Sequence, residues 1–122
     1  MEDKPKFTKE IEDDFFDPTA FNKLSSLFGD NFPELVKKHN DSAQENIERI
    51  NKAITNNDRE VLERTAHSMK GVSAQFGGIR LSHLAENMEK FGAEGDFKSA
   101  QKLYPSLKKT QQETAALMLK KI

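Results

Sequence analysis

The chain has 122 residues, enough for one domain, and its 19 Lys and Arg against 20 Asp and Glu give a net charge of −1. This balance argues against a nucleic-acid-binding protein, and the absence of Cys excludes disulfides, thiolate metal sites and Cys nucleophiles. Leu, Ile, Val and Phe together exceed the roughly 20% below which a highly charged chain tends to stay disordered, so one modest core is expected.

Membrane and secretory segments are not evident in the sequence. No stretch approaches the roughly 18 consecutive apolar residues of a membrane span, and the polar first residues lack the apolar part of a secretory signal. We therefore expect a cytoplasmic monomer that binds neither membrane nor nucleic acid, and the initiating Met favours a standalone protein. Residues 1–13, polar and mixed in charge, predict a flexible N-terminal arm before one helical domain over residues 14–122.

The first two helices begin where a polar cap is followed by a proline in the first turn. A short first helix is predicted from Asp17 to Gly29, and a second from Asn31 to about Thr55. No stretch alternates apolar and polar residues as a half-buried strand would.

Three further helices are separated by glycine-containing turns. The third is predicted from Asn57 to Gly77, the fourth ends before Gly92, and the fifth opens at Gly95. Pro105 lies inside the pattern of the fifth helix and is expected to kink or split it.

The short connections make neighbouring helices antiparallel. They predict an all-α fold, an up-down four-helix bundle with an additional short N-terminal helix packed across one end. Phe15 and Phe16 are adjacent and cannot both face one core, so one of them is expected to join an exposed apolar patch.

His67 points away from the core side of the third helix. At about 100° per residue, the apolar and small residues of this helix gather on the opposite side. The predicted buried stripe consists of Val61, Leu62, Thr65, Ala66, Met69, Val72, Ser73 and Phe76. His39 is predicted to pack its imidazole in the core and His83 to lie at the edge of the fourth helix, and no two His are spaced to share a metal.

The neighbours of His67 on the exposed face suit one kind of chemistry. Gly71 costs about 1 kcal/mol relative to Ala inside a helix, and with Ala74 it clears the surface beside the imidazole. Lys70, one turn away, places a positive charge where an anion attached to the ring would sit, and Arg64 is a candidate supporting cation. An exposed imidazole, a steric clearing and an ammonium group together indicate a nucleophile that accepts a phosphoryl group.

The run from Ala66 to Gly77, AHSMKGVSAQFG, resembles the signature of histidine-containing phosphotransfer (HPt) domains. That signature is roughly A-H-x-L-K-G-x-S/A-x-x-x-G, so Met69 replaces the usual leucine and Phe76 a usual aliphatic residue. The resemblance covers about residues 16–118 and includes the Leu, Met-Glu and Gly-Asp positions downstream of the motif.

The resemblance implies a four-helix bundle that relays phosphoryl groups between receiver domains of two-component signalling. By position, His67 would be phosphorylated, Lys70 would stabilise the phosphoryl group, and Gly71 would leave room for the receiver. Gln75 matches a polar amide position of the family and would hydrogen-bond near the imidazole or the phosphate. The implied partners are response-regulator receiver domains or a hybrid sensor histidine kinase, with no cofactor in this chain and Mg²⁺ on the receiver.

The sequence leaves two alternatives to phosphotransfer, an adaptor and a hydrolase, and argues against a kinase. The chain has no glycine-rich phosphate loop and no kinase nucleotide motif, so we expect a phosphocarrier rather than an ATP-dependent kinase. The alternative is a non-catalytic helical adaptor that binds a signalling partner without phosphorylation, and phosphate uptake separates the two. A hydrolase with His67 as its base lacks a nucleophile and an orienting carboxylate in the sequence pattern.

Overall fold

The computed structural model describes residues 14–122, and the N-terminal arm predicted for residues 1–13 lies outside the described residues. The described part forms five α-helices, with a 3₁₀ turn at Gly29–Asn31 between the first two. The helices are α1 (Pro18–Phe28), α2 (Phe32–Thr55), α3 (Arg59–Gln75), α4 (Ile79–Glu94) and α5 (Phe97–Lys120).

The four long helices form a closed ring in which each packs against the next and α5 returns to α2. The short α1 packs against α2 at one end of the ring. The predicted up-down four-helix bundle with an extra N-terminal helix is thereby confirmed. Within residues 14–122, no helix is both long enough and apolar enough to cross a lipid bilayer.

Aspartate side chains begin three of the helices. Asp17, Asp58 and Asp96 each accept a hydrogen bond at 3.0–3.2 Å from a backbone N–H two or three residues further on. The third helix therefore starts one residue later than predicted, because Asn57 adopts φ 55° in the turn before the cap. Asn31 occupies the N-cap position of α2 as predicted, but it also ends the 3₁₀ turn and its side chain makes no capping hydrogen bond.

Two helices are longer than the sequence predicted. The fourth passes through Gly92 to Glu94 and ends at Gly95, whose φ of 71° suits a glycine cap. The fifth runs unbroken through Pro105, so of the kink or split expected there the split is wrong. Pro105 and Gln101 are both exposed, and the backbone bond that the proline removes therefore lies on the solvent side of the helix.

The core has two parts. The bundle core draws aliphatic side chains from all four long helices and consists of Ala43, Ile47, Ile50, Ala53, Ile54, Leu62, Ala66, Met69, Leu81, Ala85, Met88, Ala100 and Leu107. A second cluster lies beneath α1 and consists of Phe16, Phe21, Phe32, Val36, Phe76 and Met118. This aromatic cluster joins the N-terminal segment to three long helices, which explains why α1 stays on the bundle.

The predicted stripe of α3 is confirmed except at one edge. Val72 is 42% exposed and Val61 is only half-buried, because both lie at the margin of the arc that faces the core. Of the adjacent aromatic pair, Phe16 is buried and Phe15 half-buried against α5. The exposed apolar side chains beside α3 lie elsewhere, as described below.

The end of α3 is fixed by two contacts. The ring centroids of His39 and Phe76 lie 4.1 Å apart, and His39 is buried, which confirms its predicted core position. Gly77 follows with φ 89°, and its carbonyl accepts a 2.7 Å hydrogen bond from the backbone N–H of Asp17. A Cβ at Gly77 would lie 2.4 Å from the Asp17 carbonyl oxygen, so this contact requires glycine.

Helices α3 and α4 approach each other closely at Gly92. A Cβ there would lie 2.7 Å from the backbone N of Glu63, and only a residue without a side chain permits that spacing. Toward the other end of α4, buried Ser82 donates a 2.9 Å hydrogen bond to the backbone carbonyl of Lys70. These two contacts fix the register of the antiparallel pair.

We expect Gly92→Ala to lower the free energy of unfolding by about 1–3 kcal/mol, because the new methyl group must push α4 away from the α3 backbone. Gly71→Ala is the matched control, since a Cβ at Gly71 meets nothing within 4 Å. Its better helix propensity should raise stability by up to about 1 kcal/mol. Urea unfolding followed by circular dichroism measures both, and a stable Gly92→Ala protein would contradict the close approach.

His39 should make stability depend on pH. Burial lowers its pKa below the ordinary 6.5, although a hydrogen bond with Asn40 opposes the shift. The unfolded chain then binds the proton first as pH falls, so stability is complete above about pH 6.5 and is lost as pH falls below it. Unfolding free energy measured across this range should decline less in His39→Leu. His83→Gln, altered at an exposed position, should keep the wild-type slope; equal slopes in all three proteins would exclude His39 as the cause.

Candidate functional site

His67 lies midway along α3 with 67% of its side chain exposed. Its outward direction agrees with the predicted helix face. Beside it, Gly71 leaves open space where any other residue would place a side chain. The imidazole is therefore accessible to a large partner from the Gly71 side.

On its other side the imidazole is held by a carboxylate from α4. Nδ1 of His67 lies 2.8 Å from Oε2 of Glu89, and the second carboxylate oxygen, Oε1, lies 2.8 Å from Nζ of Lys70. One carboxylate thus binds both His67 and Lys70, the residues that the sequence predicts to accept and to stabilise a phosphoryl group. Glu89 itself is only 20% exposed.

The charges of this group determine which nitrogen carries the proton. The hydrogen bond from Lys70 is the main cause that lowers the pKa of the Glu89 carboxyl, and a hydrogen bond with His67 lowers it further. The same contact raises the pKa of the Lys70 ammonium. Glu89 is therefore ionised at neutral pH and can only accept, so Nδ1 of His67 is the donor. In the neutral ring Nε2 then has the free lone pair.

The register of the helix pair explains why Glu89 reaches both residues. Gly92 brings α4 against α3 on one side of Glu89, and Ser82 attaches α4 to the Lys70 carbonyl on the other. Glu89 lies between these two anchors on the antiparallel helix. Its side chain consequently meets α3 at the turn that contains His67 and Lys70.

The remaining predicted residues make no hydrogen bond or ion pair with the imidazole within the described residues. Arg64 is 3.7 Å from Glu60 in an exposed ion pair one turn along α3. Ala74 and Gln75 are exposed toward the C-terminal end of the same helix, and no side-chain hydrogen bond of Gln75 occurs within the described residues. Their supporting roles stay predictions.

Glu89 is the site residue that the sequence reasoning missed. In the family pattern it is part of the Met-Glu position, to which the resemblance attaches no function. The one signal for Glu89 in the sequence is Lys70, because no acidic residue of its own helix is assigned as a partner for its ammonium group. Pairing it with Glu89 needs the register between two helices, which the sequence pattern does not contain.

An apolar surface flanks the open side of α3. Leu27 is 76% exposed, Phe28 41% and Val72 42%. A shallow depression between α1 and the end of α3 includes the first two and is lined by Ala20, Lys23, Leu24, Leu27, Phe28, Leu35, Ala74, Gln75 and Phe76. Leu35 and Phe76 also line the groove that holds Val72, so the two areas are continuous. We call Leu27, Phe28 and Val72 the apolar surface.

Within residues 14–122, no three His, Asp or Glu side chains come together in a way that could hold a metal ion.

A protein-family model matches most of this chain and assigns its family. Residues 34–117 match the family model described as Hpt domain, which is more than half of the chain. This chain belongs to the Hpt domain family. The match includes His67, Lys70, Gly71 and Glu89, so all four of these site residues lie inside the Hpt domain.

A solved structure shows the same fold as this Hpt domain. The crystal structure of histidine-containing phosphotransfer protein B from Pseudomonas aeruginosa PAO1 superimposes with a TM-score of 0.84. The sequences are 21% identical, and the alignment covers 88% of this chain and 93% of the other. At that identity the likeness establishes the fold alone. No curated protein matches the sequence.

Proposed function

We propose that this Hpt domain carries phosphoryl groups between the aspartates of receiver domains, with His67 as the residue that is phosphorylated. The observation that carries the proposal is the exposed imidazole whose Nδ1 is hydrogen-bonded to Glu89, which leaves Nε2 free. Membership of the Hpt family supports it independently. The proposal places the protein in the cytoplasm as a monomeric phosphocarrier, not a kinase.

The transfer step follows from the tautomer. The Nε2 lone pair of His67 attacks the phosphorus of a receiver aspartyl phosphate, the bond from phosphorus to the aspartyl oxygen breaks, and the aspartate leaves as a carboxylate. The Nδ1 proton stays on the ring against Glu89. Orientation by a carboxylate fixes the imidazole for attack, as it does in other sites where His is the reacting base.

Lys70 supplies positive charge near the transferring oxygens. Its ammonium group is bound to Glu89 in the resting protein and lies one turn from the imidazole. Positioned cations stabilise the charge that spreads over phosphoryl oxygens in such transfers. We propose that Mg²⁺ belongs to the receiver domain.

The apolar surface is the proposed contact area for the receiver. Leu27, Phe28 and Val72 border the same open side of α3 that Gly71 leaves clear. Exposed apolar side chains of this kind are typical of protein contact sites. A receiver that covers them would bring its aspartate over His67.

A hydrolase with His67 as its base would need both an orienting carboxylate and a nucleophile. Glu89 is an orienting carboxylate that the sequence pattern did not reveal. Within the described residues, however, no hydroxyl side chain is hydrogen-bonded to His67, so the nucleophile of such a site is missing from it. The adaptor alternative predicts binding without label and is separated by the first experiment below.

His67→Gln should abolish acid-labile ³²P label from phosphorylated receiver domains of the same genome, because the accepting nitrogen is gone. Lys70→Ala should slow transfer roughly tenfold to a hundredfold, because the ammonium group stabilises the charge that develops on the phosphoryl oxygens. The protein should stay folded. Rapid-quench labelling measures both rates. Label that persists in His67→Gln would refute the proposed carrier residue, and binding without any label in the wild type would favour the adaptor.

Leu27→Glu should lower kcat/KM for a phosphorylated receiver about tenfold, because it places a charge in the apolar contact area. Leu119→Glu is the control, since Leu119 is another exposed leucine and lies near the end of α5. Labelling by phosphoramidate, a small donor that needs no docking surface, should be the same in both variants. Equal receiver kinetics in the two variants would place the contact area elsewhere.

A further inference from the structure

We infer that Glu89 also holds the Nδ1 proton of His67 after phosphorylation, and thereby keeps the carried phosphoryl group ready to leave. The inference rests on the proposed function, because it concerns the phosphorylated form of the same imidazole. It assigns Glu89 as a positioning residue for the second half of the relay, in which the phosphoryl group passes to the next aspartate.

The geometry survives phosphorylation at Nε2. That nitrogen lies across the ring from Nδ1, so a phosphoryl group on it leaves the 2.8 Å contact between Nδ1 and Glu89 in place. If Nδ1 lost its proton, its lone pair would face the Oε2 lone pairs at this distance. Two acceptors without a hydrogen between them repel each other, so Glu89 opposes the loss of the proton.

The proton on Nδ1 decides how easily the phosphoryl group leaves. When the acceptor carboxylate attacks phosphorus, the N–P bond breaks and its electron pair returns to Nε2. With Nδ1 protonated, the leaving group is the neutral His67 side chain that began the cycle. With Nδ1 deprotonated, the leaving group would be an imidazolate anion, which is a much poorer one. Glu89 therefore acts on the outgoing step through the protonation of the ring.

Lys70 opposes this effect. Its ammonium group is bound to the same carboxylate at 2.8 Å and neutralises part of the negative charge that faces Nδ1. A dianionic phosphoryl group on Nε2 gives Lys70 a second anion to bind. Removal of Lys70 should thus strengthen the hold of Glu89 on the proton, whereas removal of the Glu89 charge should weaken it.

Other charged groups surround the imidazole but do not contact it. Those on the same face of α3 are Glu60, Glu63 and Arg64; on α4, Glu86 acts on Lys70 by charge; on the α2 side, Arg49 and Lys52 line the groove that reaches Arg64 and Ser68. All of them are unchanged when Glu89 alone is altered. A matched loss of charge at Glu60 measures their general contribution.

The test uses the full chain loaded with phosphoramidate and freed of the donor. ³¹P NMR then follows the phosphohistidine signal between about pH 5 and pH 8, and the midpoint of its change reports the Nδ1 proton. Glu89→Gln should lower this midpoint by about one pH unit, a tenfold loss of proton affinity. Lys70→Met should raise it, and Glu60→Gln should leave it within a few tenths. The Gln side chain keeps the shape of Glu89 and an acceptor oxygen, so the fold should be retained.

A second measurement follows the loaded chain as it passes label to a receiver domain at both ends of this pH range. The ratio of the rates, low pH to high pH, should be about tenfold larger in Glu89→Gln than in the wild type. An unchanged midpoint in Glu89→Gln, or an equal shift in Glu60→Gln, would overturn the inference and leave the carrier function intact. A wild-type chain that takes no label from phosphoramidate or any receiver would instead refute the proposed function itself.

Discussion

The bidentate position of the Glu89 carboxylate is the interaction on which the candidate site depends. One oxygen fixes the imidazole of His67 and the other fixes the ammonium group of Lys70, so one exposed and one half-buried side chain of α3 have defined places. Neither contact exists unless α4 lies close to α3 in one register. Gly92 allows that approach and Ser82 holds the opposite end, which ties the chemistry of the surface to the packing of the bundle.

Much of this architecture can be predicted from short stretches of the sequence. The spacing of apolar residues and the Asp-Pro start at Asp17 predict the helices, and the angular position of His67 on its helix predicts its exposure. Lys70 and Gly71 belong to the same helix, so their positions relative to the imidazole follow from helix geometry alone. The family signature adds the functional hypothesis to these positions.

What the sequence could not predict depends on other elements. Glu89 is 22 residues from His67, and its contact is set by helix register rather than by spacing. Val72 is exposed because the neighbouring helices do not cover the margin of α3, a matter of where they lie. Pro105 is tolerated because its missing hydrogen bond falls on the solvent side, which only the orientation of α5 reveals.

The tie between Asp17 and Gly77 has a consequence for partner selection. It joins the start of α1 to the end of α3 through backbone atoms, while Leu27 and Phe28 at the far end of α1 belong to the apolar surface. Together with the aromatic cluster beneath α1, this tie fixes where α1 lies relative to α3, and with it the position of Leu27 and Phe28. For the receiver contact proposed above, a substitution at Gly77 would therefore displace Leu27 and Phe28 and weaken docking without altering any residue that contacts His67.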